Sequence, residues 1–129
     1  MNTEQNIFEE KFEKMFTEKK TWLQGMLDSS LYRSRYKSYK DMGVVPISRM
    51  MADMQPAISQ GVIKGGKTDH NPTTGISIIT IPIKTLLDEL EIDPGKLTKS
   101  IKADKDVSIK GKDVVAKHQG TKAFSSSND

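Results

Sequence analysis

A segment rich in glycine and proline divides the sequence into two unlike halves. Residues 60–75 contain Gly61, Gly65, Gly66, Pro72 and Gly75, and their apolar side chains follow neither a helical nor a strand period. Glycine adopts backbone conformations that other residues avoid, and proline lacks an amide donor, so both interrupt regular structure. We therefore expect a flexible loop at 60–75 between a helical N-terminal region, residues 1–59, and a mixed region that begins at residue 76.

The first half has the spacing of an amphipathic helix. Its apolar residues recur at steps of three and four, which is typical of a helix with one buried face: Phe8, Phe12, Met15, Phe16, Trp22, Leu23, Met26 and Leu27. The pattern predicts a long helix from about Thr3 to Asp28. Three tyrosines keep the same rhythm afterwards, so the helix is expected to continue or resume to about Met42, where Gly43 ends it.

A second helix is predicted between Ile47 and Ile58, with Pro56 kinking or ending it. Met50, Met51 and Met54 share its apolar face, and we call these three residues the Met-rich face. Methionine side chains adapt to irregular neighbours, so this face suits either the core or a surface that binds a partner protein.

The second half predicts a mixed unit, which makes the chain α+β and mainly α. The β-branched run at 76–81 indicates a strand, and apolar spacing indicates a helix at 83–91. Asp93 can cap a further helix, 94–103, whose first position suits Pro94. Two short β-rich runs around Gly111 predict a hairpin at 106–117, and the polar residues 119–129 predict a disordered tail.

GVIKGGKT, residues 61–68, matches the letter pattern of a P-loop. A P-loop binds phosphate because a buried strand delivers its glycines to a helix N-terminus with free amides. Here the preceding residues MQPAISQ lack the apolar run of a buried strand, and Pro72 and Gly75 oppose a helix afterwards. The sequence therefore predicts a loop and no nucleotide site.

Residue types that carry catalysis or bind metals are scarce. The chain contains no cysteine, which excludes disulfides, thiolate zinc sites and a cysteine nucleophile. Histidine occurs only at His70 and His118, and Asp69 beside His70 has no third metal ligand nearby in the sequence. We expect a solvated turn at Asp69, and a protein that is not an enzyme and uses no cofactor or metal.

The apolar stretches are too short for a membrane span. The longest, residues 76–83, is far below the length that crosses a bilayer, and the charged N-terminus lacks the apolar segment of a signal peptide. We expect a cytoplasmic protein with no membrane partner.

Positive charge is concentrated locally, although the formal net charge is only +3. Residues 94–112 set a series of lysines against Asp104 and Asp106: Lys96, Lys99, Lys102, Lys105, Lys110 and Lys112. Local positive fields of this kind attract polyanions such as nucleic acids.

The apolar residues of the two predicted helices have the spacing that lets two helices pack across a short turn: Leu86, Leu90, Ile92, Leu97 and Ile101. With the strand before them and the hairpin after them, residues 76–118 resemble the winged helix-turn-helix family of DNA-binding domains. Two positions depart from that family. Glu91 stands where the turn usually has glycine, and Leu87 stands where the first helix usually has a small residue.

The resemblance implies that helix 94–103 enters the major groove of duplex DNA. Lys96, Thr98 and Lys99 would then lie nearest the base edges, and Lys102 would contact phosphate. Lys110 and Lys112 would contact the DNA backbone from the hairpin. The alternative is that these lysines only form the water-exposed surface of a helix and do not contact DNA.

LYRSRYKSYK, residues 31–40, is a second candidate for nucleic-acid binding. Arg33, Arg35 and Lys37 could contact phosphates while the interleaved tyrosines stack on bases. On a helix, however, Tyr32, Tyr36 and Tyr39 share one face, which is also the pattern of core residues.

Two functions from different classes remain. The first, which we favour, is a small DNA-binding regulatory or accessory protein that forms a homodimer through its long N-terminal helix, since dimers of such domains gain site length. The second is a protein-interaction module without catalytic activity, an inhibitor or assembly factor, that binds a partner protein through the N-terminal helix and the Met-rich face.

Overall fold

Short helices precede an antiparallel sheet, and a helix pair is inserted between its strands. The computed structural model describes Glu10, residues 13–15, Glu18 and residues 20–120. Within them the order is α1 (Trp22–Asp28), α2 (Arg33–Tyr36), a 3-10 helix (Tyr39–Asp41), α3 (Ile47–Asp53), α4 (Gln55–Ser59), β1 (Lys67–Asn71), β2 (Ile76–Pro82), α5 (Ile83–Leu90), α6 (Pro94–Ala103), β3 (Val107–Lys110) and β4 (Asp113–Gln119). The fold is therefore α+β.

The long N-terminal helix predicted from the sequence is interrupted at Thr21. This residue is extended, with φ −71° and ψ 162°, and its hydroxyl accepts the Gln24 amide while the Gln24 side chain accepts the Thr21 amide. Such a capping box satisfies amides that a helix start leaves free, so a new helix begins at Trp22. A single helix from residue 3 to residue 28 is wrong, and its predicted start before Glu10 lies outside the described residues.

The predicted second helix divides into α3 and α4 at Met54, two residues before Pro56. The predicted helix is therefore interrupted next to Pro56, which lies in the first turn of α4. All three residues of the Met-rich face are fully buried, so they fill the core and present no surface to a partner protein.

The predicted flexible loop at 60–75 contains a strand, which corrects that interpretation. β1 pairs with β2 in antiparallel register from Lys67 opposite Thr80 to Asn71 opposite Ile76. Every residue of β1 is exposed, so the strand carries no apolar alternation that a sequence pattern could reveal. The turn that follows is closed by the Asn71 side chain, which accepts the Thr73 amide, and by Gly75 at φ 77°.

The sheet has the strand order β1-β2-β4-β3, and each neighbouring pair is antiparallel. Burial alternates along β2: Ser77, Ile79 and Ile81 are buried, whereas Ile76, Ile78 and Thr80 point away from the core. We call the face that carries Ile76, Ile78 and Thr80 the outer face of the sheet.

Both halves of the chain contribute to one hydrophobic core, so regions 1–59 and 76–118 are not separate packing units. Trp22 lies 5.5 Å from Tyr36 between ring centroids. The same cluster includes Ile79, Leu90 and Leu97 from the second half. No helix in the described part of the chain is long and apolar enough to cross a membrane.

The predictions for the second half agree closely with the structure. α6 has the predicted bounds, α5 ends one residue earlier than predicted, and the hairpin turns at Gly111. Gln119 belongs to β4, which shortens the predicted tail, and residues 121–129 lie outside the described residues.

Candidate nucleic-acid interface

The turn between α5 and α6 depends on Glu91. This residue is left-handed, with φ 52° and ψ 46°, and it is the one non-glycine residue with positive φ in the described chain. Glycine would adopt this conformation without strain, so the side chain of Glu91 must have another role. Its carboxylate accepts hydrogen bonds from the Thr21 hydroxyl at 2.8 Å and from the Lys40 ammonium at 3.3 Å. Burial raises the pKa of Glu91, but these hydrogen bonds outweigh it and leave the pKa below its usual value.

Glu89 joins α5 to the start of α1. Its carboxylate accepts the backbone amide of Trp22 at 2.7 Å, one of the amides that a helix start leaves free. Burial raises the pKa of Glu89, and the Trp22 amide opposes that rise only in part. Glu89 and Glu91 together attach the end of α5 to the N-terminal region.

Lys96 lies at the start of α6 but is directed toward the N-terminal region. Its ammonium donates to the carbonyl oxygens of Lys40 at 2.6 Å and Tyr39 at 3.4 Å, and it lies 5.9 Å from the centre of the Tyr39 ring. These carbonyls belong to the 3-10 helix, and a cation near such a terminus is stabilising. Lys96 was predicted to contact base edges, but its ammonium instead donates hydrogen bonds to carbonyl oxygens of the same chain.

The inward side of α6 is fixed by two further polar residues. The buried hydroxyl of Ser100 accepts the Val45 amide, and the Asp104 carboxylate accepts both the amide and the hydroxyl of Ser48, at 3.1 and 2.7 Å. Burial raises the pKa of Asp104, but the hydrogen bonds from Ser48 and from the Asp106 amide outweigh it, so its pKa is lowered. The helix is therefore held in one orientation relative to α3.

The opposite side of α6 is solvent-exposed and carries Thr98, Lys99 and Lys102. Thr98 donates its hydroxyl to the Pro94 carbonyl one turn earlier, at 2.9 Å. Within the described residues, neither the Lys99 nor the Lys102 ammonium has a hydrogen-bond or ion-pair partner. Lys105, just beyond the helix, is exposed as well. We call Thr98, Lys99 and Lys102 the outward face of α6.

The β3–β4 hairpin adds Lys110 and Lys112, both exposed. Its turn is anchored, because the Ile83 amide at the start of α5 donates to the Lys112 carbonyl at 2.8 Å. Lys110 lies opposite Asp113 in the register, which partly offsets its charge. The hairpin follows α6 directly, and α6 contacts β3.

The basic segment 31–40 has a structural role. The Arg33 guanidinium donates to the Leu27 carbonyl at 3.0 Å and to the Asp28 carbonyl, at the end of α1. Arg35 pairs with Asp53 at 2.9 Å, and Asp53 also accepts the Tyr36 hydroxyl.

The three tyrosines of this segment are buried in the core, so the alternative of stacking on bases is wrong. Lys37 is exposed. Of the three basic residues predicted here, Arg33 and Arg35 are engaged within the chain.

The segment GVIKGGKT does not form the geometry of a P-loop. Gly61 and Gly65 take positive φ values of 79° and 80°, and Lys67 and Thr68 begin strand β1, where a P-loop requires a helix N-terminus. Asp69 and His70 also lie on this exposed strand, and the His70 Nδ1 atom is 2.8 Å from the Ser77 hydroxyl. No cluster of His, Cys, Asp or Glu that could hold a metal ion occurs among the described residues.

Comparison of this chain with protein-family models, curated proteins and solved structures gives no match. Lys99, Lys102, Lys110 and Lys112, which the sequence predicted as DNA-binding residues, are exposed. The contacts of Glu89, Ser100 and Asp104 with the N-terminal region were not predicted. One signal for these contacts was visible, since Glu91 occupies a turn position where glycine was expected.

Proposed function

We propose that this chain binds duplex DNA through the outward face of α6 and the β3–β4 hairpin, as a small regulatory or accessory protein. The observation that carries the proposal is the outward face itself. It presents Lys99 and Lys102 without partners in the described chain, while the inward side of the same helix is fixed by Ser100 and Asp104. A rigid helix with a cationic outer side is the arrangement that major-groove binding requires.

The arrangement of the elements supports the same proposal. Strand β2, helices α5 and α6 and the β3–β4 hairpin follow one another in the order of a winged helix-turn-helix domain, and β4 pairs with both β2 and β3. The hairpin is thereby held against the start of α5, where Lys112 would meet the DNA backbone. With Lys96 directed inward, Thr98 and Lys99 are the residues best placed for base edges, and Lys102 for phosphate.

The test is a fluorescence-anisotropy titration with a fluorescent duplex of random sequence. The three phosphate contacts assigned to Lys102, Lys110 and Lys112 predict that affinity falls by about 40-fold between about 50 and about 200 mM salt, because bound lysines release counterions. The double variant Lys99→Gln/Lys102→Gln should bind more weakly, and loss of the Lys102 phosphate contact should reduce the slope of log affinity against log salt by about one.

The matched control is Lys64→Gln/Lys67→Gln, which removes the same charge from exposed positions outside the proposed interface. We expect this control to retain most of the affinity and the full salt slope. Absence of binding at low salt, or equal losses in the two double variants, would contradict the proposal.

A further inference from the structure

Strand β2 carries isoleucine on both faces, but the described part of the chain covers only one of them. Ile79 and Ile81 are fully buried, whereas Ile76 is half-buried and Ile78 retains 36% of its accessible surface. A strand with one wet face normally alternates apolar and polar residues, and a run that is apolar on both faces is typical of a strand covered on both sides. The outer face of the sheet therefore has the composition of a contact surface.

The strand register places polar and charged residues on both sides of Ile76 and Ile78, which we call the apolar strip of β2. Asp69 of β1, Ile78 of β2 and Lys117 of β4 are cross-strand neighbours, so they form one row across the outer face. In the next row, Asn71 and Gln119 flank Ile76 in the same way. In these two rows, Ile78 is bordered by the Asp69 carboxylate and the Lys117 ammonium, and Ile76 by two amides, while in the third row of this face Lys67 and Val115 flank Thr80.

The row Asp69–Ile78–Lys117 is complementary in charge to the same row of a second copy of this chain. A twofold axis parallel to β2 and lying above Ile78 brings Ile78 onto Ile78 of the second copy. The same rotation exchanges the two sides of the sheet, so each Asp69 faces a Lys117 and each Asn71 faces a Gln119. In the described residues, neither the Asp69 carboxylate nor the Lys117 ammonium has an ion-pair partner that would compete for this pairing.

We infer that two copies of this chain associate through the outer faces of their sheets. The apolar strip of β2 forms the centre of the contact, and Asp69 pairs with Lys117 of the second copy on both sides of the axis. An apolar centre with a polar rim is the usual anatomy of a protein interface, and two sheets packed face to face keep their strands nearly aligned. The inference is independent of DNA binding. It also differs from the dimer that the sequence predicted through the N-terminal helix.

Charge reversal tests the pairing. In a homodimer, Asp69→Lys sets lysine against Lys117, and Lys117→Asp sets aspartate against Asp69. Each single variant should therefore dimerise at least about tenfold more weakly in sedimentation equilibrium. The double variant Asp69→Lys/Lys117→Asp should recover most of the affinity.

Mixing the two single variants is the sharpest test. One chain then presents lysine at both positions and the other presents aspartate at both, so the mixed dimer has two attractive pairs. We expect heterodimers at concentrations where each variant alone is monomeric. If neither the mixture nor the double variant recovers association, this pairing is wrong.

Ile78→Lys tests the apolar centre, with Ile109→Lys as the matched control. Both isoleucines are exposed, but Ile109 lies opposite Val114 on the other face of the sheet. We expect Ile78→Lys to be monomeric and Ile109→Lys to dimerise like the unchanged chain, with both folded by circular dichroism. An unchanged chain that stays monomeric up to about millimolar concentration, the weak end of specific association, or a dimer that Ile78→Lys leaves intact, would overturn the inference.

Discussion

The buried hydroxyl of Ser100 accepts the backbone N–H of Val45 at a distance of 2.8 Å. This contact joins the middle of α6 to the segment that leads into α3, far apart in the sequence. Together with Glu89, Glu91, Lys96 and Asp104, it fixes the basic helix to the N-terminal region by polar groups as well as by the shared core. The orientation of the outward face of α6 therefore depends on residues of both halves.

Ser100→Ala should destabilise the fold without altering the exposed lysines. The Val45 amide would lose its acceptor in a buried site, which costs about 1–3 kcal/mol of unfolding free energy. The exposed Thr98→Ala on the same helix is the control and should change stability by less than about 0.5 kcal/mol. Urea unfolding followed by circular dichroism measures both, and a loss for Ser100→Ala no larger than that for Thr98→Ala would contradict the stabilising role assigned to the Ser100 contact.

The contribution of Asp104 should depend on pH. Because the folded-state pKa of this carboxyl lies below its ordinary value of 3.8, its ionised form stabilises the fold. That stabilisation is complete above the unfolded-state pKa and is lost as the pH falls through the folded-state pKa. In urea unfolding, the difference between the unchanged chain and Asp104→Asn should be larger at pH 7 than at about pH 2–3, below the ordinary aspartate pKa. A difference independent of pH would contradict this assignment.

Substitutions at Lys96 and Lys99 should have different effects. The Lys96 substitution should lower stability, and the Lys99 substitution should lower DNA affinity. Lys96→Met keeps the aliphatic stem but removes the donor to the Lys40 and Tyr39 carbonyls, and we expect a loss of about 1 kcal/mol in unfolding free energy. Lys99→Met should leave stability nearly unchanged and weaken DNA binding. Thermal unfolding and anisotropy titrations on both variants give the comparison. A larger affinity loss for folded Lys96→Met than for Lys99→Met would reverse the roles assigned here.

Two buried tyrosines should respond differently to loss of their hydroxyls. Tyr36 donates to Asp53, so Tyr36→Phe should cost about 1–2 kcal/mol, as is typical for a hydrogen bond to a charged group. The Tyr39 hydroxyl is buried and lacks a hydrogen-bond partner among the described residues, so Tyr39→Phe should be neutral or stabilising by up to about 1 kcal/mol. Denaturant unfolding would show whether the order of the two variants is as expected.

The elements of the second half were predictable because local signals agree with tertiary packing there. Asp93 accepts the Lys96 amide and Pro94 occupies the first turn of α6, as the sequence indicated. The break before α1 had a signal too, since Thr21 and Gln24 have the spacing of a capping box. The apolar period that continues across Thr21 obscured it.

Other features could not be inferred from local patterns. β1 has no apolar residue to mark it, and it forms because β2 offers a complete set of partners. Exposure of Lys99 and Lys102 follows from the helical period set by Leu97 and Ile101. The inward direction of Lys96 does not, because the carbonyls that it contacts belong to the 3-10 helix of the first half.

The left-handed turn at Glu91 has a consequence for engineering. Its carboxylate is held by hydrogen bonds from Thr21 and Lys40, so α5 and α6 depend on residues of the first half and cannot be transferred alone to another protein. Grafted into another scaffold without the first half, residues 76–120 would keep the strained turn but lose the groups that offset its cost. A transplant that retains only the second half should replace Glu91 with glycine.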